Sequence, residues 1–173
     1  MNYPEFKSNR LLLRPTSLDD AAFIQQLFNS PKWLKYIGDR NIHSVSGASD
    51  YIRDRMLPQF EKLGYSSFTV QRKSDLAKMG TCGLYDREGV DGIDIGFAFL
   101  PQYEGRGYAF EAAELLKELA FSRFGLTEIK AITTRYNFAS QKLLEKLGMT
   151  QSGTLTLPGN NEELLVYSIQ KPK

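Results

Sequence analysis

The sequence predicts a mixed α/β fold in a single domain, and three observations carry that reading. Strand-like and helix-like segments alternate: 92–100 is apolar and rich in β-formers, 108–124 carries Ala112, Leu115, Leu116, Leu119 and Ala120 at helical spacing, and 128–134 is strand-like again. The length of 173 residues fits one domain and suffices to bury a core without disulfides or metal. No repeat, linker or low-complexity segment divides the chain, so residues 1–173 are expected to form one unit.

Along the chain, Arg10-Leu11-Leu12-Leu13-Arg14 is a short apolar run stopped by Pro15 and reads as a first strand. Ser17 then offers an N-cap with Asp20 three residues on. Ala21, Ile24, Leu27 and Phe28 give the following helix one apolar face, and Asn29-Ser30-Pro31 ends it. Residues 31–45 read as irregular. A second helix is expected from about Gly47 to Leu63, interrupted or kinked near Pro58 and stopped by Gly64. Residues 65–72 and 79–85 read as strands joined through Ser74-Asp75, and 86–91 is turn-like. After the long helix, closed by Gly125, the 128–134 strand completes a βαβ arrangement. Asn137 is a strong N-cap for a short helix ending at Gly148, and strands at about 149–157 and 163–169 flank Pro158-Gly159-Asn160-Asn161.

The bulk numbers exclude several function classes. A hydrophobic fraction of 42% and a charged fraction of 24% are those of a globular protein rather than a disordered one. The charge sum, 22 − 20 = +2, gives no electrostatic argument for nucleic acid. The single Cys82 excludes an intrachain disulfide and a Cys-cluster zinc site, and fits a reducing compartment. The single His43 argues against a His-based metal site and leaves a Ser-His-Asp triad little room. The polar stretch Met1–Arg10 has no apolar core of signal-peptide length, and no run approaches the ~18 apolar residues of a membrane span. The expectation is a cytoplasmic protein with no metal and with neither nucleic acid nor membrane as partner.

The most informative stretch is Gln102-Tyr103-Glu104-Gly105-Arg106-Gly107-Tyr108-Ala109, between a strand and a helix. A glycine turn feeding a helix N-terminus presents unpaired N–H groups and about half a positive charge, a cradle for phosphate. It is not a P-loop, because Tyr108-Ala109 follows the last glycine where Lys-Ser/Thr is required. It is not the dinucleotide fingerprint either, because Phe110 stands where the third glycine belongs. A second motif, Asn137-Phe138-Ala139-Ser140 through Glu145-Lys146-Leu147-Gly148, follows about thirty residues later.

Together these motifs resemble the GNAT N-acetyltransferases, in particular the RimJ/RimL-like branch. The resemblance extends to Arg-Leu-x-Leu-Arg at the start, Gly80 to Leu84, Asp94-Ile95-Gly96-Phe97 and the order of elements, so it covers nearly the whole chain. It implies a central, mostly antiparallel mixed sheet of about 6–7 strands, helices on both faces, and a splay between the parallel strands 92–100 and 128–134. It further implies acetyl-CoA as co-substrate. Backbone groups of Phe97, Phe99 and Leu100 would pair with the pantetheine arm like an added strand. Gln102, Glu104, Gly105, Arg106, Gly107, Tyr108 and Ala109 would hold the pyrophosphate, with Asn137 and Ser140 as further cofactor contacts. Arg106 either adds charge to the loop or is a solvated surface arginine; the helix cap alone would explain Asn137.

Acetyl transfer to an amine needs a neutral amine, a polarised carbonyl and a stabilised thiolate leaving group, and no covalent enzyme nucleophile. The resemblance implies a backbone N–H near Phe99 for the oxyanion. Many family members carry a Tyr seven positions after the motif Asn, but here Leu144 stands there, and Ser140 matches the serine proposed as proton donor in RimL-like members. Asp94 is the candidate base if it faces the splay, and a structural residue if it faces solvent or pairs with Arg87; Glu104 and Glu162 are further candidates. No acidic residue near Leu157-Pro158 matches the Glu assigned in RimL-like enzymes, which puts ribosomal-protein specificity in doubt. Trp33, Tyr36, Asp39 and Arg40 can line an acceptor pocket, or else be core aromatics and a local ion pair. The acceptor is expected to be a protein N-terminal α-amine or a small-molecule amine. A non-catalytic CoA-binding sensor of the same fold is the alternative, and a homodimer is compatible with a sequence that specifies no interface.

Overall fold

The computed structural model describes residues 3–173; Met1 and Asn2, the first residues of the polar N-terminal stretch, lie outside them. Eight strands form one sheet: β1 (Phe6–Lys7), β2 (Leu11–Pro15), β3 (Ser67–Arg72), β4 (Lys78–Asp86), β5 (Ile93–Phe99), β6 (Glu128–Thr133), β7 (Thr150–Leu155) and β8 (Leu164–Gln170), in the order β1-β2-β3-β4-β5-β6-β8-β7. The sheet thus has one strand more than expected. That strand is the two-residue β1, pairing Phe6 with Leu13, too short to have a period and held by one buried aromatic. Pro15 does not stop β2 but ends it as its last paired residue, opposite Phe68.

All neighbouring strands are antiparallel except β5 and β6. Those two are parallel and linked by α5 (Tyr108–Ser122), the expected βαβ crossover. Their only registered pair is Asp94↔Lys130, whereas β4 and β5 pair continuously from Asp86↔Ile93 to Gly80↔Phe99. The two strands therefore diverge from Asp94 onward, which is the splay.

One face of the sheet packs on α5. Ala112, Ala113, Leu116 and Ala120 meet Ile95, Phe99, Ile129 and Ala131 in a buried cluster that also takes in Leu144; the small alanines let the helix lie close to the strands. The opposite face carries α1 (Ala21–Phe28), α2 (Pro31–Tyr36) and α3 (Val45–Tyr51), while α4 (Leu57–Leu63) bridges the two layers, Phe60 and Leu63 packing with the first and Leu57 with this one. There Ile24, Leu27, Phe28, Ala48, Ile52 and Leu100 form a second cluster with Ala98 packed against it. Ala98 and its neighbour Phe99 thus serve opposite layers, as strand alternation requires.

One helical reading is corrected and another is resolved between its alternatives. Residues 31–36 are not irregular but form α2: Ser30 has the extended backbone of an N-cap and Pro31 sits at N1, where its missing N–H costs nothing. So Asn29-Ser30-Pro31 both ends one helix and starts the next. The second helical run begins at Val45, capped by the Ser44 hydroxyl accepting from the Gly47 N–H at 2.9 Å. Of the two expected alternatives the interruption is the one observed: a π-helical turn at Ile52–Met56 separates α3 from α4 just ahead of Pro58. Pro58 cannot donate to the carbonyl four residues back and its ring crowds it; a widened turn just before it relieves both.

Candidate functional site

After β5 the chain makes a single turn of 3₁₀ helix at Pro101–Tyr103 and enters α5 through the glycine loop. Gly105 and Gly107 both lie in the left-handed region, at φ 73° and 79°, which L side chains rarely adopt. The first intrahelical bond runs from the Glu111 N–H to the Gly107 carbonyl at 3.0 Å. The amides of Tyr108, Ala109 and Phe110 therefore have no acceptor within the helix, and a Cβ built on Gly105 meets nothing within 4 Å. The loop is open and lined with free donors, which fits a diphosphate.

Asn137 follows β6 and caps α6 (Phe138–Lys146), its Oδ1 accepting from the Ser140 N–H at 3.2 Å. A cleft of about 1320 Å³ joins the glycine loop, the splay and the face under α1–α4. Its lining includes Phe97, Phe99, Glu104, Gly105, Gly107, Tyr108, Ala109, Asn137 and Ser140 at one end, and Trp33, Tyr36, Arg40 and Asp94 at the other. Four expected residues are not in that lining. Leu100 is buried in the α1–α3 cluster, Gln102 and the Arg106 side chain are exposed, and Asp39 accepts from the Asn41 N–H at 2.7 Å. The local partner of Asp39 is His43, at 4.0 Å, rather than Arg40.

Asp94 stands at the vertex of the splay, 1% exposed, and its two oxygens accept from Arg87 Nε at 3.2 Å and Nη2 at 3.3 Å. It both lines the cleft and pairs with Arg87, so the two readings of the sequence are combined rather than separated. Burial pushes its carboxyl above the usual range, and Arg87 opposes that shift. Glu104 is ion-paired with Lys32 at 2.7 Å, and Glu162 is exposed. Trp33 stacks on Phe28 at 3.9 Å, so it is at once part of the helical cluster and a wall of the cleft. Cys82 is fully buried in the core, where desolvation raises its thiol, while His43 is exposed; they form no dyad. Among the described residues no group of His, Cys, Asp or Glu is arranged to hold a metal, and no helix is long and apolar enough to cross a membrane.

The sequence reading missed Tyr85. Gly83 and Gly96 face each other across β4 and β5, and the Tyr85 ring lies over both. A Cβ on Gly83 would come 2.4 Å from the Tyr85 hydroxyl, and one on Gly96 3.1 Å from the ring edge. Burial raises the phenol, with a hydrogen bond from Ser67 opposing. The available signal was a pair of glycines two residues from Tyr85 and Asp94, read only as part of a motif. Leu144, where many relatives carry Tyr, is 1% exposed in the α5-side core and borders the cleft with an apolar side chain, so it presents no hydroxyl there.

Comparison with known proteins agrees with this geometry. The uncharacterized N-acetyltransferase YoaA of Bacillus subtilis (strain 168) is 28% identical over 176 residues, covering 99% of each chain. The uncharacterized N-acetyltransferase p20 of Bacillus licheniformis is 30% identical over 150 residues, covering 86% of this chain and 83% of its own. RimL, the ribosomal L7/L12 alpha-N-protein acetyltransferase solved in complex with coenzyme A, superposes with a TM-score of 0.82 at 16% identity, over 96% of this chain and 98% of that one; at that identity the likeness is one of fold. The family model of the acetyltransferase (GNAT) domain matches residues 10–150. The chain belongs to the GNAT acetyltransferases, whose acetyl donor is acetyl-CoA.

Proposed function

We propose that the protein transfers the acetyl group of acetyl-CoA to a primary amine, by direct attack of the amine within a ternary complex. The observation that carries this reading is the continuity of the cleft, from the glycine loop past the splay vertex to a pocket walled by Trp33, Tyr36 and Tyr85. Its volume exceeds the roughly 300–1,000 Å³ of an ordinary ligand pocket, as a site for two substrates requires.

In this reading the loop amides from Gly105 to Ala109 hold the pyrophosphate, the Glu104 amide being taken by the Pro101 carbonyl, and the unpaired edge of β5 from Phe97 to Leu100 receives the pantetheine arm. A backbone N–H near Phe99 polarises the carbonyl. Asp94, held by Arg87 at the vertex, accepts the ammonium proton, directly or through water; as the C–S bond breaks Ser140 protonates the leaving thiolate and is restored by the proton that the newly acylated nitrogen sheds. Acceptors enter from the α1–α4 side, past Trp33, Tyr36 and Arg40. The cationic side chains lining that end, Lys32, Arg40, Arg55 and Arg87, outnumber the acidic Asp86, Glu88 and Asp94, so no anionic surplus favours a polycation. A protein N-terminus or a small amine of low charge fits this balance.

The test is calorimetric titration with acetyl-CoA followed by thiol release on a panel of peptide N-termini, amino acids and polyamines. Micromolar binding and turnover of one amine are expected; no binding at millimolar acetyl-CoA overturns the reading. The Arg87–Asp94 pair and the buried Leu144 favour a second reading, a CoA sensor without catalysis, which predicts binding with no turnover on any amine.

A further inference from the structure

Arg10 opens the Arg-Leu-x-Leu-Arg stretch, one residue before β2, and is 96 residues from the loop it touches. Its Nη1 donates to the Arg106 carbonyl at 3.0 Å, its Nε to Glu111 Oε1 at 3.4 Å, and its guanidinium lies over the Tyr108 ring, 4.4 Å from the centroid. One side chain therefore grips the turn between the two glycines, the first helical residue and the first turn of α5.

The grip on the Arg106 carbonyl has a directional consequence. That carbonyl and the Gly107 N–H belong to one trans peptide, whose planarity sets them in opposite directions. Holding the carbonyl toward Arg10 fixes the Gly107 amide the other way, and Gly107 lines the cleft. The second consequence is electrostatic. Glu111 is acidic, lies in the first turn of α5, and its Oε2 is buried without a partner among the described residues. A bare carboxylate there would repel the anion that the helix N-terminus attracts; the Arg10 cation compensates it.

We propose that Arg10 is a positioning residue for the diphosphate: it locks the glycine turn with its amides toward the cleft and cancels the charge of Glu111. This rests on the reading of the loop as the CoA pyrophosphate site. It touches the loop and not the acetyl group, so its effect should depend on whether the ligand carries a diphosphate.

The experiment measures Kd for coenzyme A and for pantetheine, which lacks the diphosphate, with wild type, Arg10→Gln, Arg10→Lys and the double variant Arg10→Gln/Glu111→Gln. Arg10→Gln is expected to weaken coenzyme A about tenfold, the scale of a lost charge-assisted hydrogen bond, and to leave pantetheine unchanged. Arg10→Lys and the double variant should each recover part of the loss, the first by restoring charge, the second by removing the repulsion. Equal weakening of both ligands, or a change under twofold for coenzyme A, overturns the proposal. Wild-type binding of neither probe overturns instead the proposed function, on which this inference rests.

Discussion

Two aspartates are withdrawn from solvent on this sheet, and what surrounds them differs in kind. Asp20, fully buried just ahead of α1, accepts from Arg14 Nη1 at 2.8 Å and Nη2 at 2.7 Å, the Ser17 N–H at 2.9 Å and the Thr69 hydroxyl at 3.0 Å, with Lys78 Nζ at 2.8 Å. Burial alone would raise its pKa, but Arg14, Lys78 and Ser17 outweigh it and hold the group at about 2, against 3.8 for the free side chain. Asp94 is buried to the same degree with Arg87 as its one ion-pair partner, at longer range, and there desolvation wins. Asp20 fastens α1 to three strands, β2, β3 and β4. Asp94 keeps an under-compensated charge at the splay vertex, inside the cleft. Burial alone does not separate the two carboxylates; the number of donors around each does, and it is the poorly compensated one that the proposed function takes as its base.

The comparison is most easily broken at Asp20. Asp20→Asn should cost about 3 kcal/mol of stability, because Arg14 and Lys78 lose the charge they enclose; urea unfolding at pH 7 measures it, and a loss under about 0.5 kcal/mol would mean the network is ornamental. The pH dependence sharpens the point. A depressed carboxylate pKa contributes stability that is present above about 4 and lost as pH falls toward about 2. The shift from 3.8 to about 2 corresponds to roughly 2 kcal/mol. The gap between wild type and Asp20→Asn should therefore narrow as pH drops below about 4.

Asp94→Asn should behave in the opposite sense. Stability at pH 7 should change by no more than about 1 kcal/mol, since the variant removes a desolvated charge while Arg87, partly exposed, can rehydrate. Turnover should fall about a hundredfold, the scale of a lost general base, with KM for acetyl-CoA unchanged. A raised carboxylate pKa makes the folded state hold its proton more tightly, so the active, ionised form gains population as pH rises through it. The acidic limb of the kcat/KM profile should vanish in the variant. Full activity in Asp94→Asn would reduce both aspartates to structural residues.

These two sites also mark how far the sequence could be read. The local geometry of the proposed cofactor end was legible because it sits in a few neighbouring residues: the left-handed Gly105 and Gly107 shape the turn, and Asn137 caps its helix by accepting from the Ser140 amide. The acceptor end is assembled from distant segments. Tyr85 reaches the cleft only because Gly83 and Gly96 face each other across two strands, and Trp33 only because Ser30-Pro31 starts a helix. Asp20 carries a local signal, its spacing from Ser17, but nothing near it announces Lys78 or Thr69 as partners. The same holds for Arg10, whose target lies almost a hundred residues away.

Gly107→Val tests the legible end. A β-branched residue at φ 79° is strained whatever the space, and here the Cβ would also lie 3.4 Å from Arg10 Nη2. Coenzyme A affinity should drop about thirtyfold, near 2 kcal/mol, while α5 and the fold remain, as circular dichroism would record. Unchanged affinity would detach the loop from the ligand.

The smallest effect is expected at Ser140, where cap and chemistry share one residue but not one atom. Its amide already donates to Asn137 Oδ1, and its side chain lines the cleft. Ser140→Ala keeps the amide, improves helix propensity slightly and removes only the hydroxyl. Unfolding stability should hold, and KM for acetyl-CoA should stay within about twofold, since one hydroxyl contributes little to a ligand held along a whole loop. Turnover should fall about tenfold, with the loss reduced when the leaving thiol is made more acidic, because a better leaving group needs less help from a proton donor. An equal loss with every leaving group would move Ser140 from the chemistry to the cap, and would leave the thiolate to solvent in a cleft where Leu144 offers no hydroxyl.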